Sequence, residues 1–378
     1  MQKIFNMPHR PINPFSFGID IPDEYFCDRE SETKDIIKLI DNGFNIILKS
    51  PRRIGKSSLV KHVLNQKEVK DRYNTLFVDI YGTRDMAEFD KELQRAFLES
   101  FRVGLGAPQD PSIPMSEVFK YLEGTTRPNI VVFDEFQTIE EYPEKAAAII
   151  RSKVQGMNNT RFIFAGSAQH MLNRMFEYPN QPFYRSSSSI DLDIISMDAY
   201  TAFCKGLFEE YGKGIEEDAI KTIYYLFIGK TYDMQEVMRY AFANTDEGET
   251  VSTALVLSAV EQILTRRDIE FREIMRRLVK KKERNTVLCI ADMGIATGLT
   301  STAVLKKYDL DNASTVQNAL RNITKDDFNL VTILGKGIYV LQDRFFELWL
   351  AKRNASFTAK VEEAEERFYR QRKLLKSE

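Results

Sequence analysis

The sequence predicts an α/β fold in which a parallel sheet is covered by helices on both faces. Apolar runs predict strands at 44–48, 76–80, 130–133 and 162–165, with a weaker one at 190–194. Helical patterns lie between them, at about 85–101, 116–123, 143–155 and 168–176. Such alternation is typical of parallel sheets, because a crossover helix joins each strand to the next. An extra strand between the first strand and the 130–133 strand implies the order 5-1-4-3-2.

The loop after the first strand carries the first chemical signal. A strand, a short loop and a helix N-terminus in this order predict a phosphate-binding loop, in which backbone N–H groups and the helix dipole hold phosphates. Lys56 is expected to reach the β- and γ-phosphates, and the Ser57 hydroxyl is expected to bind Mg²⁺. The candidate ATP-binding residues are Ser50, Pro51, Arg52, Arg53, Ile54, Gly55, Lys56, Ser57 and Ser58.

One feature of this loop departs from the G-x-x-x-x-G-K-[ST] pattern that is usual for phosphate-binding loops. Ser50 followed by Pro51 replaces the glycine that normally opens the loop, where a permissive backbone is useful. Proline restricts its own φ and the residue before it. The alternative interpretation is therefore a lysine-containing turn that binds no nucleotide.

A second motif supports the nucleotide interpretation. The 130–133 strand leads into two carboxylates, Asp134 as a metal ligand together with Ser57, and Glu135 for polarising water. Ser167 ends the next strand, at the position of a γ-phosphate sensor; the alternative is a hydroxyl satisfied by backbone. Together the motifs predict a hydrolytic P-loop NTPase of the additional-strand, AAA-like class.

The transferred phosphoryl group also needs a cation beyond Lys56 and Mg²⁺, because charge develops on it in the transition state. Arg185, which follows Pro182-Phe183-Tyr184, is the preferred candidate. Arg174 and Arg52 are the next candidates. Each of these arginines could instead be a surface residue.

The strand signal ends near residue 197. Helical patterns at 197–211, 216–227, 233–243 and 253–282 predict a helical lid. Short helices at 284–294, 301–307 and 313–324, followed by a hairpin with a Gly335-Lys336-Gly337 turn, predict a winged helix. The tail predicts one charged helix with i,i+4 pairs such as Glu363/Arg367. The predicted domains are an extended segment (1–27), an AAA-like core (28–196), a helical lid (197–283), a winged helix (284–354) and a charged C-terminal helix (355–378).

Several stretches resemble a prokaryotic, archaeal-ATPase-like group of AAA-type ATPases, related to the STAND signalling NTPases and carrying a C-terminal winged helix. They are Asn13-Pro14-Phe15, Phe26 with Arg29-Glu30, the 51–57 loop, Asp134-Glu135-Phe136-Gln137, Gly166-Ser167 with His170, Pro182-Phe183-Tyr184-Arg185, and the 343–350 ending. The resemblance spans residues 13–352 and implies ATP binding with slow hydrolysis. Two places depart from the group: Lys230-Thr231-Tyr232 stands where it has His-Pro-Tyr, and Arg344 stands where it tends to have proline.

The composition is typical of a soluble globular protein in a reducing compartment. Hydrophobic residues make up 43% of the chain, charged residues 29%, and the net charge is −2, as in ordinary soluble globular proteins. Three scattered cysteines argue for a reducing compartment and against a disulfide framework or zinc site. The sequence shows no secretory signal and no apolar run of ~20 residues, which predicts a cytoplasmic protein without a membrane partner.

Positive charge concentrates in the C-terminal part. Residues 266–353 hold 17 Lys and Arg against 11 Asp and Glu, a net of +6. Beside a winged helix this predicts a nucleic-acid interface. The side chains able to read base edges are Ser314, Thr315, Gln317, Asn318, Arg321 and Asn322. The alternative, which the sequence favours, is that the winged helix contacts protein or docks on the chain itself.

These observations together predict a Mg²⁺-dependent ATPase that acts as a regulatory switch, with nucleotide state coupled to the winged helix. The catalytic candidates are Lys56, Glu135, Ser167 and Arg185. One alternative is a DNA-binding regulator whose nucleotide is structural and barely hydrolysed. A P-loop kinase has less support, because no acceptor-binding constellation stands out. Partners beyond ATP are weak DNA or a protein, and an oligomer is compatible with this interpretation.

Overall fold

A computed structural model describes residues 12–15, 21–101, 113–324, 329–354 and 356–375. The chain divides into two compact units. One unit is Phe17–Ile195. The other is Ser196–Glu378 together with Met1–Ser16.

The first unit is built on a five-stranded sheet in which every pairing is parallel. Its strands are β1 (Ile46–Lys49), β2 (Asn74–Asp79), β3 (Asn129–Asp134), β4 (Thr160–Gly166) and β5 (Ser188–Asp191). The order β2-β3-β4-β1-β5, seen from the other edge, is the predicted 5-1-4-3-2. The predicted fold class is confirmed.

Helices cover both faces of this sheet, as the sequence predicts. They are α1 (Glu30–Asp41), α2 (Lys56–Asn65), α3 (Lys67–Arg72), α4 (Met86–Phe101), α5 (Met115–Gly124), α6 (Ala146–Val154) and α7 (Gln169–Glu177). Alternate residues of β3 enter different cores: Val131 and Phe133 pack in the core that includes α4 to α7, and Ile130 and Val132 in the core of α1 to α3. All of β3 is buried, since both of its faces are covered.

The second unit begins with helices that carry short parallel strands between them. The elements are α8 (Met197–Glu210), β6 (Gly214–Ile215), α9 (Glu217–Leu226), α10 (Thr231–Ala243), β7 (Thr250–Val251), α11 (Thr253–Arg266) and α12 (Asp268–Arg277). Phe15, from the start of the chain, belongs to this unit and is fully buried. Its ring centroid lies 5.2 Å from that of Phe208 and 5.8 Å from that of Phe242.

The prediction of a single helix over 253–282 is wrong, because the helix is interrupted at Arg267 and the second segment ends at Arg277. Tertiary contacts explain the break. Phe271 is buried against Phe346 and Trp349, and Asp268 accepts a hydrogen bond of 2.9 Å from the Trp349 indole. These contacts fix the start of α12 independently of helix propensity.

A winged-helix pattern follows. Its elements are α13 (Lys281–Met293), β8 (Ala296–Thr297), α14 (Thr302–Lys307), α15 (Ala313–Ile323), β9 (Val331–Gly335), β10 (Ile338–Leu341) and α16 (Arg344–Arg353). The strands form an antiparallel sheet in the order β8-β10-β9. The predicted hairpin turn is present, and Gly337 has a φ of 76°, which favours glycine. The sequence patterns did not predict β8 and α16 as elements.

The C-terminal tail forms two helices, α17 (Phe357–Glu362) and α18 (Ala364–Leu375), instead of the one predicted. Arg367 does not make the predicted surface pair with Glu363. Its guanidinium binds both carboxylate oxygens of the fully buried Glu347 in α16. The Arg344 Nη1 atom lies 2.7 Å from the same carboxylate, and the Lys360 Nζ atom lies 3.9 Å away.

Three cations therefore surround one buried carboxylate. Burial alone would raise the pKa of Glu347, but the charges of Arg344 and Arg367 lower it to about 2. Lys360 also donates to the carbonyl oxygens of Ala291 and Asp292, at the C-terminal end of α13, where a cation is favoured by the helix dipole. This cluster ties the tail helices to the winged-helix region of the same unit.

Within the described ranges, no helix combines the length and the apolar character that a membrane crossing would require.

Candidate nucleotide-binding site

The predicted phosphate-binding loop lies between the end of β1 at Lys49 and the start of α2 at Lys56. The Ser50 N–H donates to the carbonyl oxygen of Gly166 over 3.3 Å, which attaches the start of the loop to β4. Arg53 and Gly55 have φ values of 70° and 89°. These left-handed residues curl the loop and direct the first N–H groups of α2, which have no partner within the helix, towards an anion-binding position.

A buried arginine, Arg29, contacts the backbone of this loop. The Arg29 Nη2 group donates to the Asp193 carbonyl oxygen over 2.6 Å and lies 3.4 Å from the Ile54 carbonyl oxygen. Its Nη1 group donates to Glu32 over 2.6 Å. Arg29 itself has a φ of 81°, in the left-handed region, and it directly precedes α1. The sequence placed Arg29 only among the residues of a family resemblance and did not indicate this contact.

The structure brings Lys56, Ser57 and Asp134 together, although the loop and the Asp134 strand are far apart in sequence. The Lys56 Nζ group binds Asp134 Oδ1, and the Ser57 hydroxyl donates to Asp134 Oδ2. Lys56 and Asp134 are both buried. A lysine that can neutralise phosphate charge therefore lies directly beside a hydroxyl and a carboxylate.

Glu135 joins the same cluster. Its carboxylate Oε1 lies 3.6 Å from Lys56 Nζ, and its Oε2 accepts hydrogen bonds from Ser167 Oγ (2.8 Å) and Gln137 Nε2 (2.5 Å). Burial would raise the pKa of Glu135, but the Lys56 charge and these two hydrogen bonds outweigh it, so the pKa is lowered. The group is a carboxylate at neutral pH and can accept a hydrogen bond from water.

Ser167 and Arg52 extend the cluster. The Ser167 hydroxyl donates to Glu135 and accepts a hydrogen bond of 3.2 Å from Arg52 Nε. Of the three candidate arginines, Arg52 is thus joined to the cluster. Arg185 is exposed, with a φ of 52°, and its guanidinium lies over the Tyr184 ring at 5.1 Å. Arg174 pairs with Glu140.

Three further residues at this edge of the sheet were not predicted as site residues. Gln137 donates to Glu135, as described above. Asp79 ends β2 and is in register with Asp134 of β3; partial burial and the charges of Asp134 and Glu135 raise its pKa. Lys49, the last residue of β1, is buried and donates to Asn173 (2.8 Å) and Glu177 (2.7 Å) of α7. In the sequence, Asp79 and Lys49 could have been recognised as candidate site residues only from their positions at strand ends, because ligands bind at the carboxyl edge of such sheets.

The residues present fit the cofactor that the loop implies. Asp134 and Ser57 offer one carboxylate and one hydroxyl, which suits Mg²⁺, an ion that usually takes one or two protein oxygens together with substrate phosphates. Among the described residues, no group of three or more His, Cys, Asp and Glu side chains could hold a metal. The donor set therefore suits an ion shared with phosphates and not a dedicated metal cage.

The basic stretch of the second unit is partly neutralised by nearby acids. Lys281 lies 2.9 Å from Asp309, and Lys282 lies 2.6 Å from Asp311. Further pairs are Arg267–Glu236, Arg272–Asp268, Arg276–Glu273 and Lys280–Glu283. On α15, the exposed polar residues are Ser314, Gln317, Asn318 and Arg321. Except for Glu236, these acids are already included in the net charge of +6. The pairs show that the acids lie directly beside the basic side chains, which weakens the local attraction of this stretch for anions.

Comparison with protein families gives two matches. Residues 26–237, more than half of the chain, match the family described as "ATPase domain predominantly from Archaea". Residues 269–352 match a family described as "Probable winged helix domain". Curated protein sequences give no significant match.

Solved structures show the same fold. The Walker-type ATPase of Pyrococcus abyssi matches with a TM-score of 0.64 and 20% identity, over 89% of this chain and 99% of that one. The Aeropyrum pernix ORC2 protein, solved as ADPNP-ADP complexes, gives 0.60 and 15% over 92% and 98%. The Aeropyrum pernix ORC1 protein in complex with DNA gives 0.53 and 16% over 89% and 94%.

The five-stranded sheet, the loop before α2 and the C-terminal winged helix agree with these matches. This chain belongs to the family of ATPase domains found predominantly in Archaea and carries a C-terminal winged helix domain.

Proposed function

We propose that this chain binds Mg²⁺-ATP on residues 50–58 and hydrolyses it slowly, as a switch whose nucleotide state is coupled to the winged-helix region. The observation that carries the proposal is the meeting of Lys56, Ser57, Asp134 and Glu135 at the carboxyl edge of one parallel sheet. Ligands of open α/β sheets bind at this edge.

Each residue has a chemical role in this proposal. Lys56 and the N–H groups at the start of α2 bind the phosphates and neutralise their charge. Glu135, held ionised, orients the attacking water. Ser57 and Asp134 would hold Mg²⁺, which supplies further charge neutralisation when bound. The Ser167 hydroxyl is the proposed γ-phosphate sensor.

The transition-state cation is proposed to be Arg52 within the chain, because its guanidinium is hydrogen-bonded to Ser167 beside Glu135. Arg185 remains the candidate for a cation offered to another molecule, since its side chain is exposed. In P-loop enzymes, such an arginine is supplied either by the same chain or by a partner.

The experiment combines two substitutions with a control on the same helix. Lys56→Ala is expected to abolish binding of a fluorescent ATP analogue, because it removes the charge that faces the phosphates. Glu135→Gln is expected to keep that binding and stop phosphate release. Lys61→Ala, in α2 but beyond the loop, is expected to behave like the wild-type chain in both assays. Normal binding by Lys56→Ala would refute the site.

A second candidate is DNA binding by the winged helix with a structural nucleotide. It is favoured by the exposed polar side chains on α15, and one structural neighbour was solved in complex with DNA. This candidate requires that ATP stays bound while phosphate release is negligible, so turnover separates the two functions. The local acidic partners of the basic stretch lead us to expect weak DNA binding, or a protein partner.

The predicted division into a core (28–196), a lid (197–283), a winged helix (284–354), an N-terminal segment and a tail helix is part of this proposal. The proposal also includes a cytoplasmic location, and it is compatible with an oligomer. Limited proteolysis with and without an ATP analogue would report whether nucleotide changes the protection of the winged-helix region.

A further inference from the structure

We propose that Gln137 is a positioning residue that fixes the Glu135 carboxylate for its action on water, and that residue 166 is glycine because Gln137 occupies the space of its side chain. The inference rests on the proposed hydrolysis of ATP. It assigns to Gln137 and Gly166 roles that the ATP site described above does not include.

Glu135 needs an anchor because its backbone leaves the strand abruptly. It follows β3 in the left-handed region, with a φ of 56°, and its N–H donates to Asp134 Oδ1 over 2.9 Å. Those features place its Cα but leave several side-chain torsions undetermined. Orienting a water molecule requires the carboxylate to be held, since small displacements of a reacting group reduce the rate strongly.

Gln137 supplies that anchor at short range. It lies two residues beyond Glu135, in the short 3₁₀ helix Phe136–Glu141, and its side chain is buried. Its amide Nε2 donates to Glu135 Oε2 over 2.5 Å. A buried amide has little water to exchange with, so breaking this hydrogen bond is costly and the carboxylate is held firmly.

The two carboxylate oxygens are thereby given different surroundings. Oε2 accepts from both Gln137 and Ser167, whereas Oε1 lies 3.6 Å from Lys56 Nζ. One oxygen anchors the side chain, and the other faces the lysine that is proposed to bind phosphate. This asymmetry is the arrangement expected of a carboxylate that acts in a defined direction.

Gly166 lies directly against the Gln137 side-chain amide. A Cβ atom on residue 166 would lie 2.1 Å from Gln137 Oε1 and 2.9 Å from Leu172 Cδ1, closer than real Cβ atoms approach. Its φ is not positive, so backbone conformation does not explain the glycine. Gly166 is the last residue of β4, and a glycine in a strand often marks the close approach of another group. Here that group is the Gln137 amide.

The competing explanation is that Gln137 only fills space. Gln137→Met separates the two, because methionine is of similar length and packs well but donates no hydrogen bond. In the full chain, positioning predicts that kcat for phosphate release falls about 10- to 100-fold, while affinity for a fluorescent ATP analogue and Tm stay near wild type. Gln155→Met, at an exposed glutamine of the same unit, is the control and should leave all three unchanged.

Gly166→Ala tests the steric half of the inference, which is that residue 166 is glycine because Gln137 occupies the space of its side chain. Alanine should displace the Gln137 amide, lower Tm and reduce kcat about as much as Gln137→Ala does. The double variant Gly166→Ala/Gln137→Ala should regain most of the Tm lost by Gly166→Ala, because the clash is removed, yet show no further loss of kcat. Such non-additivity is expected of two residues that act through one contact.

The outcomes are distinguishable. A wild-type chain that binds ATP but releases no phosphate refutes the proposed hydrolysis, and the inference with it. An active wild-type chain together with a fully active Gln137→Met variant overturns the inference alone. A Gln137→Met variant that loses Tm and nucleotide affinity along with kcat also overturns it, since that is the result of a packing role. Gly166→Ala with unchanged Tm and kcat overturns the steric half.

Discussion

The buried carboxylate of Glu347 gives a quantitative prediction about stability. Glu347 is fully buried in α16 and faces Arg344, Lys360 and Arg367. We expect Glu347→Gln to destabilise the second unit strongly, because the neutral amide leaves three buried or nearly buried cations without a counter-charge. Breaking a buried ion pair by removing one partner typically costs about 3–5 kcal/mol.

The pKa of Glu347 gives the same magnitude by another route. A fall from its ordinary value of 4.5 to about 2 corresponds to a contribution on the order of 3 kcal/mol, at about 1.36 kcal/mol per pKa unit. Because the folded pKa is depressed, this contribution is fully present above pH 4.5 and is lost as the pH falls towards 2. The difference in stability between wild type and Glu347→Gln should therefore be full at neutral pH and smaller near pH 3.

The assay uses the only tryptophan of the chain. Trp349 is buried in α16 two residues from Glu347, so its fluorescence during denaturant unfolding reports this unit. The control is Glu261→Gln, which breaks the exposed Glu261–Lys352 pair between α11 and α16 and should cost less than about 1 kcal/mol. Arg344→Met combined with Glu347→Gln should regain part of the loss, because one uncompensated buried cation is removed.

The reasoning would be refuted if Glu347→Gln changed the free energy of unfolding by no more than the Glu261→Gln control, with an unchanged denaturant m-value. An effect that grew between neutral pH and pH 3 would contradict the sign of the pKa argument.

Three further predictions concern the ATP site and the winged helix. Chelation of divalent metal should stop phosphate release and added Mg²⁺ should restore it; hydrolysis that survives exhaustive chelation would exclude a metal requirement. Arg52→Ala should slow phosphate release at least about 10-fold, whereas Arg174→Ala, which breaks a pair with Glu140, should not; equal rates would remove Arg52 as the cation. If DNA binds, the Lys280→Glu/Lys281→Glu/Lys282→Glu variant should weaken it for all sequences and lower its salt dependence in a gel-shift series; no shift at low salt would exclude DNA.

The fold and the centre of the candidate site could be predicted from the sequence because their signals are local. The loop at 50–58 follows β1, and the two carboxylates are the last residue of β3 and the residue after it. Parallel strands place such carboxyl ends at one edge of the sheet. The topology therefore brings Lys56 and Asp134 together without any further information.

Other features depend on contacts that the sequence does not encode locally. The partners of Lys281 and Lys282 are Asp309 and Asp311, which lie almost 30 residues further along the chain, so the sequence does not show that these lysines have acidic neighbours. Gln137 acts on Glu135 only because Glu135 turns sharply into the 3₁₀ helix. Arg367 follows a regular helical charge pattern, yet its partner is Glu347 in another helix.

The burial of Phe15 has a consequence for the order in which the molecule is made. Its packing partners, Phe203, Phe208 and Phe242, lie about 190 to 230 residues further along the chain. At about 5–20 residues per second, they leave the ribosome roughly 10 to 45 s after Phe15 does. The whole of Phe17–Ile195 is synthesised in that interval. The Phe17–Ile195 unit can thus fold before the packing partners of Phe15 have been synthesised, and a fragment that begins at Ser196 would lack a side chain from its own core.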